Sequence, residues 1–326
     1  MKLHENKELL RQAIIETSAD LNIPREFIEK DYWICQILQR LSRHDKSELT
    51  VWKGGTSLAK AYRLINRFSS DVDIAILSEQ LSQNQQKKLV ARIGHDSTID
   101  LSELDNGNSI KNNRFRKTYH EYDTVLPAAK KSLDFLGRYV IFEINTYGNP
   151  YPYEKKVVTP FITEMMQHRG LLEMIRQYDM DPFELNVLDK RRTMCEKIVS
   201  LIRFSFENNP IDGLASKIRH FYDLHFMSID KECHDYLTKD FSKNLIELIV
   251  HDKAEFDRPP KWKDADILSS ILFTDFDGAW KSLSSKYKSE LGELTYGELP
   301  KATEIAVSVK TLMEYVRMIL FRHHCP

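Results

Sequence analysis

The segment from residue 51 to residue 77, VWKGGTSLAKAYRLINRFSSDVDIAIL, constrains the fold more than any other part of the chain. The pair Val51-Trp52 favours a short strand, and Gly54-Gly55 predicts a turn directly after it. The pair Thr56-Ser57 can cap a helix whose first backbone N–H groups are free to hold phosphate. The apolar spacing predicts that this helix continues to about Ile65.

Two acidic residues follow in a pattern typical of a strand. Asp71 and Asp73 alternate with Val72 and Ile74, so both carboxylates point to one face. Their Cα atoms would lie roughly 6.5–7 Å apart, which lets both side chains bind a hard cation such as Mg²⁺ or Mn²⁺. An isolated Asp-X-Asp is more often the solvent face of an edge strand. The Gly-Gly turn one helix upstream favours a site for metal-bound phosphate instead.

Length and composition indicate a folded protein of one large or two smaller domains. The chain has 326 residues, 42% of them hydrophobic and 29% charged, which excludes a fibrous or disordered protein. No apolar run approaches a membrane span, and the first residues lack the apolar core of a signal peptide. We therefore expect a cytoplasmic protein without a membrane partner. A net charge of −1 means that any nucleic-acid binding must come from a local patch.

The cysteines point to packing rather than to covalent or metal cross-links. The four of them are scattered without a C-x-x-C pair, which predicts reduced thiols and argues against a disulfide framework or a zinc cluster. They are Cys35, Cys195, Cys233 and Cys325.

A basic segment between residues 111 and 131 is a candidate RNA contact. Its cations are interleaved with aromatic rings, and such a mixture suits a single-stranded end because cations neutralise phosphate while rings stack on bases. A solvated pair of strands explains the same residues equally well. The segment contains Lys111, Arg114, Arg116, Lys117, Lys130 and Lys131 with Phe115, Tyr119 and Tyr122, and the candidate contacts are Arg114, Arg116 and Lys117.

A further carboxylate lies in the predicted strand from Arg138 to Thr146. Glu143 interrupts an otherwise apolar run, and a carboxylate is costly to bury unless it is paired or bound to metal. It is therefore a candidate third acid and metal ligand beside Asp71 and Asp73. An exposed face or a salt bridge is the alternative.

The helix predicted to begin near Pro24 carries a charged group in the middle of its length. Glu29-Lys30-Asp31-Tyr32-Trp33 could form a functional surface, but charged residues on a helix usually form its solvent-exposed face. We therefore expect these residues to lie on the solvent-exposed face of the helix.

The pattern becomes helical from about Phe161. We therefore predict an α/β (α+β) core with a mixed sheet in residues 1–165, followed by a mostly α-helical domain in residues 166–326. The second domain is expected to complete the groove of the active site. Its helices include residues 189–207 and a long closing helix at residues 302–323.

Two charged residues of the helical part are candidates for the site. Lys197 lies at the margin of an apolar stripe and could neutralise the charge of a triphosphate. Taken alone, its position favours a side chain that reaches from apolar surroundings to water. Asp223 lies on the apolar face of another predicted helix. It therefore needs a partner, such as Lys197 or a bound metal.

These motifs, taken together and in this order, resemble the AbiEii/AbiGii toxin family. The resemblance extends from the helix of residues 29–33 to about Leu224 and rests on K-G-G-T-S-L at residues 53–58, R-F-S-S-D-V-D at residues 67–73, Glu196-Lys197 and the segment 219–224. The family consists of nucleotidyltransferase-like toxins of abortive-infection and toxin–antitoxin systems, related to the MenT toxins and to the DNA polymerase β superfamily.

The resemblance implies roles for individual residues. Lys53, Gly54, Gly55, Thr56 and Ser57 would bind the nucleotide, and Asp71 with Asp73 would bind the divalent metal. Ser69 matches a family serine next to the metal site that can itself accept a phosphate. Lys197 would contact the triphosphate, and Asp223 matches the last acidic motif. His220 stands where that motif usually has its first acid.

The resemblance also implies an activity and partners. Relatives transfer nucleotides from a nucleoside triphosphate to the 3′ end of tRNA, so we expect a tRNA or another RNA acceptor, with Mg²⁺ or Mn²⁺ as the metal. A cognate antitoxin of the AbiEi type is expected as well. Two alternatives stay open: a small-molecule nucleotidyltransferase of the antibiotic-modifying type, and a catalytically silent module that only binds a nucleotide or a partner protein.

Overall fold

The computed structural model describes residues 1–127, 137–238 and 240–324. They form two compact units. The first comprises Met1–Arg63 and Phe68–Leu188, and the second comprises Leu64–Arg67 and Asp189–Pro326. Residues 166–188, which the sequence pattern groups with the helical part, therefore cluster with the first unit.

A mixed β-sheet forms the centre of the first unit. Over the described ranges it has eight strands in the order β3, β5, β6, β2, β1, β8 and β7, and β4 also pairs with β5. The strands are β1 (Thr50–Lys53), β2 (Asp71–Ile76), β3 (Ser102–Glu103), β4 (Ile110–Lys111), β5 (Phe115–Glu121), β6 (Tyr139–Asn145), β7 (Tyr153–Val158) and β8 (Phe183–Leu188).

Strand β2 lies in the middle of this sheet. It pairs antiparallel with β1 and parallel with β6, while β1 pairs parallel with β8. The predicted mixed sheet is therefore confirmed. Because β2 has a strand on each side, its backbone is fixed along its length and its side chains are held in a defined register.

Strand β8 was not predicted, because the sequence from Phe161 onward suggests helices. Its residues Leu185–Leu188 are all buried, so the polar and apolar alternation that marks a half-exposed strand is missing. Two short helices precede β8, so the helical pattern in the sequence continues to residue 177.

The helices of the first unit are α1 (Lys7–Leu21), α2 (Arg25–Arg43), α3 (Gly54–Lys60), α4 (Gln83–Ser97), α5 (Phe161–His168) and α6 (Leu172–Gln177). Helix α3 ends earlier than the predicted Ile65. Arg63 has a positive φ of 51°, and an α-helix of L-residues cannot continue through that conformation.

The charged group in α2 is buried, so the expectation of a solvent-exposed face is wrong. Glu29, Lys30 and Asp31 are each at most 3% exposed. Burial raises the pKa of Glu29, whose carboxylate accepts hydrogen bonds from Thr124 Oγ1 at 2.7 Å and the Val125 backbone N–H at 2.6 Å. These two hydrogen bonds satisfy the Glu29 carboxylate, so α2 can be buried on all sides at this residue.

Asp31 holds two other elements of the first unit in place. Its carboxylate lies 2.9 Å from Lys60 Nζ in α3 and accepts the backbone N–H of Phe161 at 2.9 Å, at the start of α5. The Lys60 ammonium also lies 3.5 Å from the centre of the Phe161 ring. Removing either charge would leave the other buried and unpaired.

The second unit is helical, as the sequence predicts for this part of the chain. Its helices are α7 (Lys190–Phe204), α8 (Pro210–Ala215), α9 (Ile218–Ile229), α10 (Lys231–Leu237), α11 (Phe241–Glu255), α12 (Ile271–Thr274), α13 (Phe276–Leu294) and α14 (Ala302–His324). Helices α7 and α14 confirm the two helices predicted at residues 189–207 and 302–323.

Three cysteines, Cys35, Cys195 and Cys233, are buried free thiols, and Cys325 lies outside the described residues. Burial raises the pKa of Cys195 to about 11, so this thiol is protonated at neutral pH. In the part of the chain that the structure describes, every helix is too short or too polar to cross a membrane.

Candidate active site

The turn between β1 and α3 contains a glycine that its surroundings require. Gly54 has a positive φ of 83°, which side chains other than glycine adopt only with strain. A Cβ atom at this position would also overlap with Oδ2 of Asp73. The backbone of Gly54 therefore lies directly against the carboxylate that was predicted to bind metal.

The hydroxyl groups of the same turn are used to fix it in place. Thr56 Oγ1 donates to the backbone carbonyl of Asp71 at 2.5 Å, and Ser57 Oγ donates to the carbonyl of Gly54 at 2.9 Å. The helix has Lys53 as its N-cap without a side-chain cap, so the prediction that Thr56 or Ser57 caps α3 is wrong. What the turn can offer to a phosphate is the backbone N–H groups at the start of α3.

Asp71 and Asp73 lie on one face of β2, as predicted. Both are partly exposed, whereas Val72 and Ile74 between and after them are fully buried. Ser70 Oγ donates a hydrogen bond of 3.0 Å to Asp71 Oδ1. Ser69, two residues before Asp71, is partly exposed in the segment that leads into the strand.

Four charged residues form a row across the sheet at the level of Asp73. Asp73 is in register with Lys53 on β1 and with Glu143 on β6, and Glu143 is in register with Lys117 on β5. Lys117 Nζ lies 2.7 Å from Glu143 Oε1. Burial opposes the charge on Lys117, but Glu143 outweighs it and raises the pKa of this amine, which is therefore protonated.

The structure thus brings the predicted third acid beside the pair and gives it a lysine partner. Within the described ranges, no three histidine, cysteine or acidic side chains group in a way that could hold a metal ion. Asp71 and Asp73 alone still offer hard oxygen ligands on one face. This donor set fits Mg²⁺, which commonly takes one or two carboxylates and completes its shell with water and substrate phosphate.

The basic segment divides between the two faces of the sheet. Phe115 and Lys117 share the face of Asp71 and Asp73, because every second residue of a strand points to the same side. Arg116 points to the other face, where it lines a cavity of about 210 Å³ next to α4. Lys130 and Lys131, which the sequence analysis included in this segment, lie outside the described residues.

Arg114 lies just before β5 and forms a group with two aromatic rings. Its guanidinium is 5.9 Å from the centre of the Tyr147 ring, which in turn is 6.0 Å from the ring of Phe115. Arg114 is thus an exposed cation beside two partly exposed rings, of which Phe115 belongs to the predicted segment and Tyr147 does not.

In the second unit, Asp223 is completely buried between two cations. Arg67 donates from Nε and Nη2 to the two carboxylate oxygens at 2.6 and 2.7 Å, and Lys197 Nζ lies 2.7 Å from Oδ2. Burial opposes the ionisation of Asp223, but the two cations outweigh it and hold the pKa of this carboxyl far below its usual range. The predicted pairing of Asp223 with Lys197 is confirmed.

Arg67 is the member of this group that sequence reasoning missed. It was part of a family motif without a role of its own. Asp223 itself could have indicated a second partner, because a carboxylate has about four acceptor positions and one lysine cannot satisfy all of them inside a core. A bidentate arginine is the usual further partner.

His220 lies three residues before Asp223 on α9 and does not add charge to this group. Burial and the neighbouring cations, Lys197 first among them, lower the pKa of His220 well below its ordinary value. The imidazole is therefore neutral at neutral pH. Asp223 remains the anion that balances Arg67 and Lys197.

Comparison with known families decides what this chain is. Residues 36–309 match the family described as nucleotidyl transferase AbiEii toxin of type IV toxin–antitoxin systems. The match covers well over half of the chain. The chain belongs to the AbiEii family. It is accordingly a nucleotidyltransferase toxin, and membership of a toxin–antitoxin system implies an antitoxin partner.

A solved structure supports the fold of this AbiEii protein. The chain is similar to MenT4, a nucleotidyltransferase toxin from Mycobacterium tuberculosis, with a TM-score of 0.54 and 16% sequence identity. The similarity covers 95% of this chain and 89% of MenT4. At this level of identity the likeness concerns the fold. No curated protein matches the sequence significantly.

The close approach of Gly54 to Asp73 gives a first test of the AbiEii site. We expect Gly54→Ala to lower nucleotide transfer by roughly 100-fold, because a displacement of about 1 Å at a reacting centre can have that effect. Gly170→Ala is the matched control: Gly170 also has a positive φ, of 71°, but a Cβ there would meet no atom within 4 Å. Thermal unfolding and initial rates of both variants should be measured together.

Both variants should lose about 1–2 kcal/mol of stability because both place alanine at positive φ. Gly54→Ala should lose more than Gly170→Ala, because its Cβ also overlaps with the carboxylate of Asp73. Only Gly54→Ala should lose transfer. If the two variants retain equal activity, Gly54 does not position the carboxylate of Asp73.

Proposed function

We propose that this AbiEii protein transfers a nucleotide from a nucleoside triphosphate to a hydroxyl group at the 3′ end of an RNA, with tRNA as the preferred acceptor. Mg²⁺ or Mn²⁺ is the metal of the proposed reaction. The observation that carries the proposal is the alignment of Asp71 and Asp73 on one face of β2, with the backbone of Gly54 against Asp73.

Asp71 and Asp73 would hold the metal, and the turn at Gly54-Gly55 would direct its backbone N–H groups toward the phosphates. A divalent cation bound there supplies neutralisation of phosphate charge during displacement of pyrophosphate. Thr56 fixes the distance between the turn and the strand through its bond to the Asp71 carbonyl. The contact of Lys197 with the triphosphate stays a prediction, since its ammonium is bound to Asp223.

Two further features support an RNA acceptor. Lys117 and Phe115 lie on the face of the acid pair, and the group of Arg114, Phe115 and Tyr147 lies near the far end of β6. Tyr147 lies two residues beyond the end of β6 at Asn145, on the carboxyl side of the row of Asp73. An RNA end bound at the acids could place an upstream base on these rings. A partner antitoxin of the AbiEi type belongs to the same proposal.

The direct test is incubation of the protein with each labelled nucleoside triphosphate in turn, Mg²⁺ and total RNA. Label should appear in RNA of tRNA size and should be lost when the RNA is first treated with periodate, which destroys the 3′-terminal diol. Label confined to small molecules would support the antibiotic-type alternative and contradict the RNA proposal. Absence of label from every fraction would contradict both.

Charge reversal at Arg114 tests the RNA contact. We expect Arg114→Glu to weaken transfer to RNA about 3- to 30-fold through a higher KM, since one phosphate contact and a stacking group are lost. Binding of the nucleoside triphosphate should be unchanged. Arg116→Glu makes the same charge change two residues away, at a side chain that lines the cavity next to α4.

Equal losses of RNA transfer in the two variants would mean that the change in net charge, and not the loss of a contact between Arg114 and RNA, causes the effect. Unchanged KM values for RNA in Arg114→Glu would contradict the role of this group. The salt dependence should also be shallower in Arg114→Glu than in the parent protein.

A further inference from the structure

The row of charges across the sheet contains a feature that nucleotide transfer does not by itself require. Glu143 stands in register beside Asp73, yet its carboxylate is engaged by Lys117 at 2.7 Å and, as placed, does not group with Asp71 and Asp73 into a three-acid metal site. Side chains that are in register on adjacent strands lie close enough to interact directly. The row therefore reads lysine, aspartate, glutamate, lysine across β1, β2, β6 and β5.

We propose that Lys117 sets the affinity of the site for divalent cations by occupying Glu143. The inference rests on the proposed function, because it assumes that Asp71 and Asp73 hold the cation. In this arrangement Lys117 is a positioning residue, and it competes with the cation for one carboxylate.

The physical basis is the competition between two cations for Glu143. A third carboxylate within reach of a divalent ion would strengthen its binding, because the attraction grows with each added negative charge. The Lys117 ammonium cancels that charge as long as the pair is closed. The side chains of both residues are about one quarter exposed, at 28% and 24%, so the pair is accessible to solvent and can open.

Weak binding of the free cation suits an enzyme whose metal arrives with the triphosphate. With two carboxylates available, the cation completes its shell with substrate phosphate. With three, the free protein would retain the ion by itself. Lys117 thus makes cation binding depend on the nucleotide.

The test is direct binding of Mn²⁺ to the full-length protein without nucleotide, measured from the decrease in the electron paramagnetic resonance signal of free Mn²⁺. We expect Lys117→Met to bind Mn²⁺ about three- to tenfold more tightly than the parent, because Glu143 is released. Lys117→Arg should bind like the parent. The double variant Lys117→Met/Glu143→Gln should lose the gain.

A matched control distinguishes the effect of losing the Lys117–Glu143 ion pair from the effect of a general change in net charge. Lys111→Met removes the same charge from the neighbouring strand β4, but Lys111 pairs with Glu103, which lies outside the row. This variant should leave Mn²⁺ affinity within about twofold of the parent. Circular dichroism should be recorded for all variants, so that only folded proteins are compared.

Three results would overturn the inference: unchanged or weaker Mn²⁺ binding by Lys117→Met, an equal gain in Lys111→Met, or a gain that persists in the double variant. Asp71→Ala distinguishes this failure from failure of the proposed function. If the parent binds Mn²⁺ and Asp71→Ala does not, the metal site stands whatever Lys117 does. If Mn²⁺ binding does not depend on Asp71, the metal site fails and the role of Lys117 fails with it.

Discussion

Asp71→Ala should abolish nucleotide transfer, with a loss of at least about 1,000-fold, while the protein stays folded. The variant removes one of the two carboxylates proposed to hold the cation, and phosphoryl transfer depends almost entirely on positioning and charge neutralisation. Growth arrest on expression in a bacterial host should disappear together with the activity. The measurements are RNA labelling by the purified protein and colony counts after induction.

Stability should change little in Asp71→Ala, because this side chain is partly exposed and is bonded chiefly to Ser70. Asp123→Ala is a suitable control, since it removes an acid that is largely exposed and pairs with Lys7 at the surface. It should retain full activity. Full toxicity of a well-expressed Asp71→Ala variant would refute the proposed site.

The largest loss of stability is expected from Asp223→Asn. The substitution keeps the shape but removes the charge that balances Arg67 and Lys197, both of which are buried. Breaking a buried ion pair by removing one partner typically costs about 3–5 kcal/mol. The free energy of unfolding, from urea denaturation followed by circular dichroism, should fall by about this amount.

Asp277→Asn in the same unit is the matched comparison. Its carboxylate pairs with Lys310 at the surface, and such pairs contribute less than about 1 kcal/mol. Adding Lys197→Met to Asp223→Asn should recover part of the loss, because one unpaired cation is removed. Equal stability of the Asp223 and Asp277 variants would contradict the buried network.

The same group predicts how stability depends on pH. The pKa of Asp223 is lowered in the folded protein, so the unfolded chain binds more protons in the acid range. The stabilisation is fully present above the unfolded pKa of about 3.9 and is lost progressively as the pH falls below it. The parent protein should therefore show a steeper acid loss of stability than Asp223→Asn.

Two differences between sequence and structure share one cause. Helix α2 carries charged residues that looked solvent-exposed, and β8 lacks the alternation of a half-exposed strand. Both are buried on more than one side. Hydrophobic periodicity reports which face of an element is covered, so it fails where all faces are covered. Charged residues such as Asp31 and Lys60 are then stabilised by partners that are far away in the sequence.

The local part of the candidate site could be predicted from short stretches of sequence. The turn at Gly54 and the alternation of Asp71 and Asp73 follow from backbone angles and the two-residue period of a strand, which involve only neighbouring residues. The family resemblance depended on the same short motifs. These features were predicted correctly because no distant contact is needed to form them.

Which charged side chains pair with each other depends on the tertiary fold. Lys117 pairs with Glu143 because β5 and β6 are in a particular register, and Arg67 meets Asp223 across 156 positions of sequence. Each of these charges had several conceivable partners in the sequence. The choice among them follows from strand register and helix packing, because an ion pair forms only where the fold brings both groups within a few ångström of each other.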